Sequence, residues 1–117
     1  MDSKKFLMGF LLFILLHILV WFSANTQFIR REWQDKALIL TIVLAIPISL
    51  TAFYGSRFIY DALGESAWSV RFIAFGASYL IFPLLTWLIL KESMLNPKTL
   101  LCVALSLVIV CIQVFWK

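Results

Sequence analysis

The sequence predicts an all-α integral membrane protein whose chain crosses the bilayer four times. Three observations carry that class. Of 117 residues, 63% are apolar and 14% are charged, which leaves too little polar surface for a soluble domain of this length. The charged residues are bunched rather than spread. The stretches between the bunches each approach the roughly 20 residues a helix needs to cross about 30 Å of hydrocarbon. The separating loops are too short for a nucleotide-binding fold, so any ATP-driven work would be borrowed from another subunit.

Spans are expected at 6–25, 37–57, 68–90 and 99–116, in a single transmembrane domain covering the chain. The first follows Lys4 and Lys5 as a signal peptide would, but its apolar run exceeds the roughly 7 to 15 residues of a signal h-region. No Ala-x-Ala pattern follows it, so it reads as a retained span. The polar run Arg30 to Lys36 separates spans 1 and 2, with Trp33 suited to headgroup level. In the next break, Gly64 reads as a helix C-terminal residue and Ser66 as the cap of helix 3. Asn96-Pro97 places a proline in the first turn of helix 4, where its missing amide proton is not needed. Short connections make successive helices antiparallel, giving an up-down bundle with both termini on one side.

Pro47 and Pro83 lie inside spans, where each removes a backbone hydrogen bond. They serve either ordinary helix curvature or a hinge for alternating access. Cys102 and Cys111 are nine positions apart in one helix, so they face different ways and cannot pair there; no metal site or disulfide is indicated.

Orientation follows from where Lys and Arg collect. Lys4, Lys5 and Lys117 lie on the terminal side, and Arg30, Arg31, Lys36, Lys91 and Lys98 on the other; Arg57 and Arg71, flanking loop 2, bring the terminal side level at five against five. Two arrangements stay open. A chain without bias inserts both ways and forms an antiparallel homodimer, or it keeps one topology with loops 1 and 3 cytoplasmic. The net charge of +4 fits headgroup contact and gives no reason to expect nucleic acid.

Ionisable groups inside a span are costly and mark function by default. His17 sits mid-span on a stripe of Gly9, Phe13, His17, Trp21 and Asn25, spaced by four and expected to face inward. An imidazole exchanges protons near neutral pH; the competing reading is a neutral ring bonded to another helix as packing glue. Arg71 shares a helical face with Phe75, Ser78 and Phe82, placing a forked cation at the mouth of an inward groove, or it snorkels to headgroups. Arg57 reads as an interfacial anchor with Asp61 one turn on as a partner, and Glu92 as the partner of Lys91. Gly76-Ala77-Ser78 admits a close neighbour, and Ser106 and Gln113, seven apart, form a polar face for helix joining. One histidine, no mid-span carboxylate, no Cys-x-x-Cys and no Gly-rich phosphate loop leave no catalytic set and no cofactor site.

The run Ser69 to Ser78, then Leu84-Leu85-Thr86-Trp87, then Lys91 to Lys98 before an apolar last helix, resembles the drug/metabolite transporter superfamily. Gly76, Trp87 and Glu92 stand where its small multidrug resistance members carry a packing glycine, a tryptophan near the end of helix 3 and the following loop. The resemblance implies a small-multidrug-resistance- or EamA-like bundle in a bacterial inner membrane, working as a homodimer joined by helix 4. It departs from the family at two positions. His17 stands where multidrug members carry the helix 1 glutamate, and Arg71 where family members commonly carry a tyrosine on helix 3 near the site, which reverses the local charge.

These readings combine into a transporter for a small anionic or amphipathic metabolite. His17 is the proton-responsive group, Arg71 the anion contact, Trp21, Tyr54 and Tyr79 the aromatic walls, and Ser78 a hydroxyl along the path. Gly76, Ser106 and Gln113 are assigned to helix packing and the dimer contact. The alternatives are a non-transporting assembly or regulatory subunit, or a component that flips lipid-linked phosphate sugars. The expectation behind the transporter reading is that His17 and Arg71 share one electropositive cleft.

Overall fold

The computed structural model describes residues 2–93 and 95–116; Met94 and Lys117, which entered the loop and charge readings, lie outside the described residues. Four helices run in order: α1 Ser3–Asn25, α2 Gln34–Ala62, α3 Ala67–Leu85 and α4 Pro97–Phe115. A π turn, Thr86–Leu90, prolongs α3, and two 3₁₀ turns, Thr26–Phe28 and Arg31–Trp33, fill loop 1. All four helices, with their flanking turns, are long and apolar enough to cross a membrane.

The helices begin earlier or end later than the apolar stretches because hydropathy marks the hydrocarbon, while capping marks the helix. Asp2 accepts hydrogen bonds from the Lys4 and Lys5 amides, starting α1 at Ser3 among charged residues. α2 runs 29 residues, about 43 Å at 1.5 Å per residue, so Arg57 lies inside it rather than at its end. Its terminus is closed by Gly64 at φ +74 and by the Glu65 amide donating to the Tyr60 carbonyl at 2.9 Å, a Schellman closure. Ser66 caps α3 through the Ser69 amide and Pro97 stands in the first turn of α4, both as expected, while the Asn96 side chain adds a cap to α4 through the Lys98 amide.

Antiparallel α1 and α2 interlock by exchanging a small residue for a large one. At Gly9 of α1 a Cβ would fall 2.7 Å from the Ile59 side chain, and at Gly55 of α2 it would fall 3.0 Å from the Phe13 ring. Ile59 and Phe13 are accordingly among the most buried side chains. In lipid, where burial of apolar surface gives no net drive, such close contact is what holds helices together. α3 runs parallel to α1 and closes the core with Ile73 and Ala77. One buried side-chain bond crosses between these helices, from Trp21 Nε1 to Thr86 Oγ1 at 3.0 Å.

The four helices run up and down as expected but do not close on themselves. α1 lies against both α2 and α3, whereas α4 rests on α3, and neither α1 nor α2 makes a comparable interface with it. The molecule is a slab of 49 × 36 × 19 Å, its short dimension about two helix diameters. The physical reason is the distribution of small residues: Gly9 and Gly55 let α1 and α2 approach, while the face of α4 presents branched Val110 and Val114 to α3.

Candidate functional site

The inward stripe of α1 is present as expected. Gly9, Phe13 and Trp21 are buried, and His17 and Asn25 are half-buried beside them. Above Phe13 the stripe parts from α3 to leave a cleft of about 250 Å³, lined by His17, Val20, Trp21, Ala24, Asn25, Ser78 and Phe82. His17 stands fourteen residues into α1, about 21 Å from its start, which is mid-bilayer depth.

The imidazole has a defined polarity. Its Nδ1 lies 2.8 Å from the Phe13 carbonyl oxygen in its own helix. A carbonyl only accepts, so Nδ1 carries the proton and donates it. In the neutral ring Nε2 is then a bare acceptor, and in the cation a donor. Nε2 has no protein partner, and among the described residues no enclosed side-chain nitrogen or oxygen lacks one, so Nε2 is accessible, on a residue that lines the cleft. The glue reading required a bond to another helix; the bond made is internal to α1.

Two other polar groups complete the lining. Asn25 donates from Nδ2 to the Trp21 carbonyl at 3.0 Å, which leaves its Oδ1 as an acceptor at the upper end. Ser78 contributes a hydroxyl from α3. Trp21 closes the floor, held there by Thr86. Phe82 is shared with a second cleft of about 220 Å³ between α3 and α4, lined by Tyr79, Pro83, Thr86, Glu92, Ser93 and Thr99 among others. The Trp21–Thr86 bond and Phe82 therefore stand between two spaces on opposite sides of α3.

The structure brings His17, Trp21 and Ser78 together and leaves the other assigned residues elsewhere. Arg71 is exposed and lines neither cleft. Because Trp21 meets Thr86, α3 residues sit at the level of α1 residues 65 lower, so His17 is level with Phe82. Arg71 is eleven residues before Phe82 (82 − 71), about 16 Å away along the axis. The shared electropositive cleft is thus not formed. Tyr54 is 48% exposed on the outside of α2. Tyr79 lines the α3–α4 spaces instead of the His17 cleft, its ring edge-on to Phe75.

The packing residues are also redistributed. Gly76 faces Val110 of α4, 3.5 Å from where its Cβ would be, an ordinary contact within the chain. Ser106 is buried and donates to the Cys102 carbonyl of its own helix, and half-buried Gln113 lies on the same face, so both turn toward α3. The opposite face of α4, with Leu101, Leu105, Val108 and Ile112, is the one left exposed. Asp61 pairs with Lys5 at 4.0 Å instead of Arg57, and among the described residues this is the one ion pair, so Lys91 and Glu92 do not join either. Both cysteines are free.

Sequence reasoning passed over Thr86, Gly55 and Thr41. The Thr41 hydroxyl reaches the Ser23 carbonyl of α1 at 2.7 Å. Small or hydroxylated residues inside an apolar span were the available signal for all three. No protein-family model, no curated protein and no solved structure matches this chain.

Proposed function

We propose that the chain is a small carrier of the drug/metabolite transporter type that works as a homodimer and moves a small anionic or amphipathic metabolite together with a proton. The observation that carries this reading is the accessible, unpartnered Nε2 of His17, a mid-span residue that lines the α1–α3 cleft. With Arg71 absent from the cleft, the positive contact for an anion is protonated His17 itself. Nε2–H then donates to a carboxylate or phosphate oxygen, and Ser78 and Asn25 add further polar contacts. Loss of the proton turns Nε2 into an acceptor and releases the anion, so charge and substrate travel together.

At about 250 Å³ the cleft lies just under the roughly 300–1,000 Å³ of drug-sized sites, which suits a small metabolite. Alternating access would swing the segment around Pro83 and the π turn, opening first the His17 cleft and then the α3–α4 space. A membrane assembly subunit is the second reading, favoured by the exposed outer face of α4.

The test is counterflow in liposomes reconstituted with the purified chain, across a panel of small carboxylates and phosphates with an internal pH dye. The proposal expects at least one anion to move with protons, and His17→Ala to reduce that flux at least about tenfold, the scale of a lost charged hydrogen bond. Flux in His17→Ala equal to the parent, or no protein-dependent flux for any member, contradicts it.

A further inference from the structure

A larger open space lies away from the His17 cleft, between α2 and the start of α3. It measures about 850 Å³ and is lined on α2 by Ser49, Ala52, Phe53, Ser56, Arg57 and Tyr60, which share one broad face of the helix, and on α3 by Ala67 and Val70. Its polarity is graded along the bilayer normal. Arg57 and Tyr60 lie in the last two turns of α2, with Arg57 five residues (62 − 57) and about 7.5 Å from its end. Ala52 and Phe53 form the stretch below them, Val70 in the first turn of α3 stands at the outer end, and Ser49, eight residues (57 − 49) or about 12 Å deeper than Arg57, marks the inner end.

The charge in this groove has no protein counterpart. Asp61, the carboxylate one turn from Arg57, is taken by Lys5, and among the described residues no other ion pair forms. A guanidinium at the edge of the hydrocarbon is costly unless an anion meets it. Its planar fork matches two oxygens of a phosphate, and the Ser56 and Tyr60 hydroxyls lie on the same face to add donors.

We propose that this groove binds an anionic phospholipid of the surrounding bilayer, with its phosphate on Arg57 and an acyl chain against Phe53 and Ala52. Basic pockets between spans hold acidic headgroups by this combination of charge and apolar shape. The site uses no residue of the α1–α3 cleft, so it stands or fails separately from the transport reading. Arg71 is exposed on the neighbouring helix and lines no part of the groove, which makes it the natural control.

The experiment is native mass spectrometry of the purified chain titrated with phosphatidylglycerol or phosphatidylcholine in detergent, with and without inorganic phosphate. The expected result is one retained phosphatidylglycerol per chain, weakened about tenfold or more by Arg57→Gln and left unchanged by Arg71→Gln. If Arg57→Gln does not insert, Ser56→Leu, which fills the groove and keeps the arginine, is expected to give the same loss. Equal retention of phosphatidylcholine, equal loss from either arginine, or displacement of the lipid by inorganic phosphate overturns the proposal; the last would assign the groove to a free anion.

Discussion

At the scale of single residues, the glycines separate by what a methyl group would meet. Gly9→Ala drives a Cβ to within 3.0 Å of both the Ile59 side chain and its backbone nitrogen, and backbone cannot step aside. A destabilisation of about 1–3 kcal/mol is expected, the range for overpacking, read as a lowered midpoint in denaturation of the reconstituted chain. Gly76→Ala meets only ordinary contact with Val110 at 3.5 Å, so the gain in helix propensity, about 0.5–1 kcal/mol, should leave it neutral or stabilised. Equal loss from both would contradict the interlock. The stripe from Gly9 to Asn25 was legible because a spacing of four is a property of one helix. The separation of Arg71 from His17 was not, because spacing says which face a residue takes and nothing of its height beside another helix. That height is set by the Trp21–Thr86 contact, a pairing of residues 65 apart.

Elements show the same division between local and non-local information. Caps at Asp2, Ser66 and Asn96 obey rules spanning two or three residues, so Ser66, Asn96 and Pro97 could be read directly. The π turn at Thr86–Leu90 could not, since nothing in an apolar run announces a widened turn. Pro83 supplies its cause. It has no amide proton for the Tyr79 carbonyl, and three residues on, the Thr86 amide is shared between the Phe82 and Pro83 carbonyls, loosening the ladder where the widened turn begins. By contrast α2 passes Pro47 without a break, with the Thr51 hydroxyl donating back to the Pro47 carbonyl at 2.8 Å. Pro83→Ala should therefore straighten the end of α3, slowing amide hydrogen exchange over Thr86–Lys91 and reducing liposome flux together. Pro47→Ala should do neither. Faster exchange in Pro83→Ala, or unchanged flux with slowed exchange, would remove the hinge.

For the whole molecule, four apolar spans were plain from composition, yet their open arrangement was not, because hydropathy counts helices without saying which ones touch. The exposed outer face of α4 is where the proposed homodimer would join. Both cysteines are exposed, but relative to buried Ser106, Cys102 lies four residues and about 40° round the helix, while Cys111 lies five residues and about 140° round, farther from the face that meets α3. Oxidation should thus trap a dimer through Cys111 if the two α4 helices run parallel, and Cys111→Ser should abolish it while Cys102→Ser does not. If they run antiparallel about Ser106, Cys111 comes opposite Leu101 (111 + 101 = 2 × 106), and Leu101→Cys in a Cys102→Ser background should trap it instead. A dimer trapped in neither variant would contradict the α4 seam. The even split of Lys and Arg between the two sides left both arrangements open, and this pair of variants separates them.

The unpartnered ring nitrogen of the chain's single histidine, on the residue that lines the cleft, carries the proposed transport. Solid-state ¹⁵N NMR of the histidine-labelled protein in bilayers reads both ring nitrogens directly. The expected spectrum of the neutral ring has a protonated Nδ1 and a bare Nε2, and the Nε2 resonance shifts when a transported carboxylate or phosphate is added. A ring protonated at Nε2 with Nδ1 bare, or an Nε2 signal indifferent to every member of the panel, would contradict it.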